Sequence, residues 1–367
     1  MILSSGSPQK RVRYSHRNSM QALAHERRFG DESKMLVAPA ASSFPAHPAA
    51  WYVFCETKQL RQTPLAKRIL GRDLVAFRTA SGRYAVLNAR CSHLGANLGC
   101  GTVVNEAIQC PFHHWQFGRD GRCVDIPGLS EIPAFAHQQS YPARERHGFL
   151  FFFNGAKPLF PLPFFEDESP AELKAGKMFS YEADASWFMV AGQGFDRQHF
   201  QTVHDRRLLS PPQVSTPSPF CRRNWYHAEI IGESTRDRLL KLLVGSTVTL
   251  SIQNWGGTFY VVKAQFQRAC SRFLVSFRPL EHGRTQFDVI VYARRGIPAL
   301  GLMARRWFTR AHLVSEAARI RDTVYRPARL TAADADLVDC FRWLAALPQQ
   351  PPEANGDLRH LAKKKVL

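Results

Sequence analysis

The 367-residue chain lacks any run of about 18 consecutive apolar residues, the length a membrane-crossing helix needs. The best candidate, Val289 to Met303, is interrupted by Arg294 and Arg295. There is no G-x-G-x-x-G fingerprint, which excludes a built-in dinucleotide site of that type, and nothing reads as a flavin site. Acidic residues are scarce: 30 Asp and Glu against 49 Lys and Arg leave a formal charge of +19. Such a balance suits docking to an acidic protein partner. Nucleic acid is the rival reading of so basic a chain, but no nucleic-acid motif is present and the arginines are spread along its whole length. The eight cysteines lack the regular spacing of a disulfide-stapled secreted domain, so a reducing, cytoplasmic setting is expected. Residues 1–48 lack clear patterning as well. Basic and Ser-rich, they superficially resemble a transit peptide; a disordered extension, or a true start at Met35, is expected instead.

What is present suffices for a large core: 45% hydrophobic residues, 26 of the residues Phe, and a length suited to two or three domains at about 150 residues each. Trp51 to Phe54, Arg68 to Phe77 and Arg83 to Leu87 read as strands, the last two joined by a turn at Thr79-Ala80-Ser81-Gly82. Arg119-Asp120-Gly121 reads as a second hairpin turn. The run from Gly148 to Phe153 reads as a buried strand. Prolines at 158, 161, 163 and 170 mark an extended connector. Beyond it come strand-like runs at 228–231, 248–253, 258–266, 272–277 and 286–292, spaced for an antiparallel sheet. Leu300, Met303, Trp307, Ala311, Val314 and Ala318 recur at helical spacing and predict an amphipathic helix over 299–322. The division that follows is an extension (1–48), an all-β domain (49–156), a Pro-rich connector (157–173), a second domain (174–348) and a tail (349–367).

The chemistry concentrates at Cys91-Ser92-His93 and Cys110-Pro111-Phe112-His113. One thiolate and one imidazole from each of two loops is the donor set of a [2Fe–2S] cluster with one Cys₂ iron and one His₂ iron. Tetrahedral zinc accepts the same donors, but zinc fingers usually pair like with like at each end of the site. With its flanks Leu94-Gly95 and Trp115-Gln116-Phe117, the segment 51–155 resembles the Rieske domain of ring-hydroxylating oxygenase α subunits. That resemblance assigns Cys91, His93, Cys110 and His113 as cluster ligands. It also marks His114 as a departure, since the family usually has Gly there. Ala96 and Phe112 stand where respiratory Rieske proteins carry a loop-bridging cystine, which excludes that kind.

A second constellation, Asp196-x-x-His199-x₄-His204, places Asp196 and His199 one helical turn apart. His204 lies about 140° further round a helix, so the two rings converge only if the helix ends or kinks between them. Two imidazoles beside an open position are two-thirds of a facial triad for non-heme Fe(II), although a surface histidine pair is the plainer reading of the spacing alone. The segment resembles the iron motif of the same oxygenases. The resemblance, covering about 51–345, implies an α+β chain in which a helix-grip domain with an antiparallel sheet and a long C-terminal helix follows the Rieske domain. It implies a third, carboxylate ligand from the C-terminal helical region, where Asp334 matches best and Asp336 next. Thr331 and Asp334 also form a capping-box signature, the structural alternative. Asp196 is implied as the acid bridging a Rieske histidine of one subunit to an iron histidine of the next, hence a homotrimer. Gln193 replaces the family's frequent Asn. Electrons are expected from a separate NAD(P)H-dependent reductase or ferredoxin, with O₂ as co-substrate and an apolar ring molecule as substrate. Phe188, Phe195, Phe200, Trp255, Phe259 and Tyr260 are candidates for its pocket. A Rieske electron carrier fused to an iron-free binding module is the alternative.

Overall fold

A computed structural model describes residues 36–61 and 63–349. Most of the extension and nearly all of the tail expected from the sequence lie outside them. The first half is built of short antiparallel strands in three small sheets. β1 (Trp51–Glu56), β2 (Leu65–Ile69), β3 (Arg72–Arg78), β4 (Tyr84–Asn88), β5 (Thr102–Val104) and β6 (Ala107–Gln109) come first. β7 (Gln116–Gly118), β8 (Cys123–Asp125), β9 (Ser140–Tyr141), β10 (Ala143–Arg146) and β11 (Phe149–Phe153) complete it. The sheets run β1-β11-β10, β2-β3-β4-β9 and β5-β6-β7-β8. β11 reads Phe-Leu-Phe-Phe-Phe and is buried at every position. A strand covered on both faces shows no alternation. Its partner β1 touches the second half, where the Val53 N–H donates to Ser276 Oγ at 3.2 Å, and Phe151 packs edge-on against Phe259.

The second half is one nine-stranded sheet: β12 (Leu173–Ala175), β13 (Phe179–Ala183), β14 (Arg206–Leu208), β15 (Gln213–Ser218), β16 (Cys221–Ile230), β17 (Thr247–Trp255), β18 (Phe259–Phe266), β19 (Cys270–Pro279) and β20 (Thr285–Arg294). The main path is β12-β20-β19-β18-β17-β16-β14, every pairing antiparallel. The helices are α1 (Trp187–Gln193), α2 (Arg197–Thr202), α3 (Thr235–Val244), α4 (Ala299–Arg319) and α5 (Ala335–Ala345). α4 lies along β20 and β13, and α5 packs on α1. This is the expected α+β arrangement, a sheet gripping a long C-terminal helix.

Two findings differ from the sequence reading. The apolar stripe that predicted α4 points outward: Leu300, Met303 and Trp307 are 75%, 65% and 64% exposed. The buried positions are Leu302, Thr309 and Glu316. Seven residues bring a helix back to within about 20° of the same direction, so these three form the inward face. Residues 36–48, placed in the unpatterned extension, lie against the second half instead. Phe44 is buried and stacked on Phe188 with centroids 3.9 Å apart, and the Trp187 indole donates to the Pro45 carbonyl at 3.1 Å.

Candidate metal centres

Two loops of one design carry the first set of residues. In each, the cysteine N–H takes the carbonyl five residues on, Ala96 for Cys91 and Trp115 for Cys110. The N–H four residues on, of Gly95 or His114, returns to the cysteine carbonyl. That closure sets Gly95 and His114 in the left-handed region, at φ of 75° and 61°. His114 therefore occupies the glycine position of the second loop. Both cysteines are buried and lie side by side, whereas His113 is exposed. The His93 and His113 rings are 4.7 Å apart, and Trp115 of the second loop stacks on His93 of the first at 4.4 Å and 3°. Thiols thus sit inward and imidazoles outward, the polarity a Cys₂/His₂ cluster needs.

Burial, with Cys110 alongside, pushes the Cys91 thiol up to about 11. A thiolate there calls for a cation to stabilise it, which iron supplies. The Ser92 hydroxyl is also buried with no hydrogen-bond partner among the described residues. The donor set and this unsatisfied hydroxyl fit a cluster bound between the loops.

The second centre begins with Asp196, whose Oδ1 accepts the His199 N–H at 2.9 Å and caps α2. α2 stops at Thr202, and Asp205 takes a φ of 51° before β14. This is the helix end that convergence of the two histidines requires. Their rings stand 4.9 Å apart at 84°. The carboxylate beside them is Glu316 of α4: its Oε2 lies 3.1 Å from His199 Nε2 and 3.4 Å from His204 Nε2. One donor atom from each of the three falls within 4.8 Å of the others. Arg319 engages the other oxygen, Oε1.

Burial would raise Glu316, but the hydrogen bond from His199 and the neighbouring imidazoles of His204 and His312 outweigh it and hold the acid near 2. Burial, aided by His312, pushes His204 down to about 3. At neutral pH the trio is a carboxylate with His204 as a neutral imidazole. Two nitrogens and one oxygen around an open face suit Fe(II).

The acids expected from the sequence are elsewhere. Asp334 accepts from the Thr331 N–H at 2.8 Å and the Thr331 hydroxyl at 3.1 Å, closing the capping box, and Asp336 pairs with Arg197 at 3.6 Å. Asp334 is thus engaged as the capping box anticipates, near enough to Asp196 for the two charges to interact, while the carboxylate beside both histidines is Glu316. Asp196 also differs from expectation within the chain: its capping bond goes to the His199 backbone rather than to the ring, and burial raises its pKa. Glu316 had a signal in the sequence. It is the only acid between Asp288 and Asp322 and continues the spacing Leu302, Thr309.

The six pocket aromatics do not gather at one place. Phe188 and Phe195 belong to the core under α1, Phe259 and Trp255 to the core around β1 and β11, and Phe200 to a third cluster. That third cluster lies beside the histidines. Phe200 stacks on Tyr226 at 4.2 Å, with Ala228, Val248, Ile252, Val262 and Ala264 on the inner face of the sheet. Tyr260 borders it while donating its hydroxyl to the Ala191 carbonyl at 2.6 Å.

Residues 50–136 match the family described as the Rieske [2Fe-2S] domain. The chain is 36% identical over 168 residues to aminopyrrolnitrin oxygenase PrnD of Pseudomonas fluorescens, covering 42% of this chain and 46% of that protein. It is 31% identical over 177 residues to cholesterol 7-desaturase nvd 1 of Ciona intestinalis, covering 47% and 38%. The chain belongs to the Rieske oxygenase family. Each match spans less than half the length of these curated Rieske relatives. Among solved structures, NdmA of Pseudomonas putida CBB5 with caffeine superposes with a TM-score of 0.61 at 19% identity, over 80% of this chain and 89% of that one. Apo dicamba monooxygenase gives 0.60 at 21%, over 81% and 95%. The Rieske oxygenase fold thus extends over both halves of the chain.

Proposed function

We propose that this chain is the terminal component of a Rieske oxygenase system, taking electrons from a separate NAD(P)H-dependent reductase or ferredoxin and oxidising an apolar, ring-containing substrate. Hydroxylation, demethylation and desaturation are all compatible with this site; relatives are named as an oxygenase, a desaturase and 3-ketosteroid-9-alpha-monooxygenase. The observation that carries the reading is the convergence of His199, His204 and Glu316 on one point in the second half of a Rieske protein. When bound, a [2Fe–2S] cluster supplies single electrons and a ferrous ion activates O₂.

The protein's own residues do the rest. Cys91, Cys110, His93 and His113 hold the cluster, with Trp115 fixing the plane of the His93 ring. Leu94 and Phe112, 65% and 60% exposed, give the cluster tip an apolar rim for a redox partner or a neighbouring subunit. His199, His204 and Glu316 hold the mononuclear ion. The Phe200–Tyr226 cluster excludes water beside it and offers an apolar wall to the substrate. In a homotrimer Asp196, at the start of α2, is the acid that would face a neighbour's cluster. No helix of the described residues is long and apolar enough to cross a membrane.

An iron-free carrier has no use for a buried carboxylate set against two imidazoles, which disfavours the alternative. Two measurements test the proposal: iron per chain, and product formation with a reconstituted reductase over aromatic, sterol and alkaloid substrates. About three irons per chain and an oxidised product are expected; two irons and no product would leave the carrier.

A further inference from the structure

We infer that the outward stripe of α4 docks this chain on the surface of an anionic lipid bilayer. Leu300, Met303, Trp307 and Val314 are the large apolar side chains that this helix exposes. At about 100° and 1.5 Å per residue they share an arc of about 60° and run for about 21 Å along the helix. Trp307 rests edge-on against Phe308, with ring centroids 4.9 Å apart at 81°. Among the described residues nothing covers the stripe, because α4 packs on β20 and β13 and buries Leu302, Thr309 and Glu316 on its opposite face.

The charge beside the stripe decides between occupants. Arg294, Arg295, Arg305, Arg306 and Arg310 lie on α4 or just before it. Arg295, Arg305 and Arg306 direct hydrogen bonds to the backbone carbonyls of Ala171, Gly301 and Lys177, which are neutral. Among the described residues none of the five arginines is salt-bridged, so their charge is left for something outside the chain. A second copy would bring the same arginines, and +19 on each copy opposes that approach. An anionic bilayer supplies both halves of the match, acidic headgroups for the guanidiniums and acyl chains for the stripe. A helix that is aliphatic and aromatic on one face and arginine-rich beside it lies in the plane of such an interface. An indole settles at headgroup depth there, having an apolar body and one polar N–H. Docking depends on the stripe and the arginines, not on bound metal. It would hold the helix that carries Glu316 against the phase in which apolar ring molecules dissolve.

The test is cosedimentation of the full chain with vesicles, its cluster followed by visible absorbance. Phosphatidylcholine containing about one-third phosphatidylserine is compared with phosphatidylcholine alone at low salt. Native protein should bind the anionic vesicles at least about tenfold more tightly than the neutral ones, and lose most of that preference as salt rises to about 1 M. Trp307→Gln and Leu300→Gln, both at exposed positions, should each weaken binding at least about fivefold whatever the salt. Arg310→Gln should weaken it about fivefold at low salt only. Native protein that stays in solution with both kinds of vesicle would overturn the inference and leave the stripe to a protein partner. Binding that Trp307→Gln and Leu300→Gln both leave within about twofold of native would overturn it too, since the contact would then lie elsewhere. Self-association of native protein without lipid, abolished by Trp307→Gln, would give the stripe to a second copy and overturn it as well. Should one of the two apolar variants lose its cluster, the other decides together with Arg310→Gln.

Discussion

His114 stands where the twin loop has Gly95, at a φ of 61° that a side chain tolerates at a cost of about 1 kcal/mol. His114→Gly should therefore leave the visible absorbance of the cluster unchanged and raise stability by up to about 1 kcal/mol, checked by absorbance and thermal melting; His113→Ala should bleach the cluster. The reverse pattern would exchange the ligands. A sharper contrast separates two acids. Asp334→Asn keeps an oxygen for the Thr331 cap and should cost no more than about 1 kcal/mol, with mononuclear iron retained. Glu316→Gln should lose that iron and keep only the two of the cluster. Iron analysis of the two variants, each compared with native protein, reads the result directly. The cysteines and His93, His113, His199 and His204 were legible as residues because motif spacing survives in the chain. The carboxylate was not, because it comes from an element 112 residues beyond His204 and its only signal, the spacing Leu302, Thr309, Glu316, lies on a different face from the apolar stripe.

At the scale of elements, the long strands were legible from their composition, and β11 from its unbroken apolar run. Helix α4 was legible in extent and misread in orientation. Its apolar residues and its buried residues occupy different faces, so a rule that equates the two selects Leu300, Met303 and Trp307 and passes over Leu302, Thr309 and Glu316. Chemical denaturation distinguishes the faces. Leu302→Ala should cost about 2–3 kcal/mol as a buried truncation, and Trp307→Gln no more than about 0.5 kcal/mol as an exposed one. Equal costs would mean that the outward stripe is covered in the native assembly. The end of α2 was legible as a requirement: two histidines five apart meet only where the helix stops, and it stops at Thr202.

Across the whole molecule, +19 of net charge acts beyond any single contact. Between Asp288 and Glu316 the chain carries five arginines before Arg319, at 294, 295, 305, 306 and 310, and no acid. Association with an acidic electron donor should be steered by this field. The second-order rate of cluster reduction is expected to fall steeply as salt rises from 0.01 M, where charges act over about 30 Å, to 1 M, where they act over about 3 Å. A rate indifferent to salt, measured by stopped flow, would assign docking to the apolar rim of Leu94 and Phe112 alone. Glu316 itself has a mechanical consequence. Over its 21 residues α4 buries only three side chains, and the last of them is this acid, two turns beyond Thr309. The C-terminal half of the helix is therefore fastened to α2 through the histidines. A metal ion held there would add a rivet between α4 and the α2 segment, beside the packing of Leu313 and Ala317 on the core under α1. Drawing it out should loosen that half first, so amide hydrogen exchange over residues 310–319 should quicken on iron removal while exchange in β16 to β20 stays as slow as before.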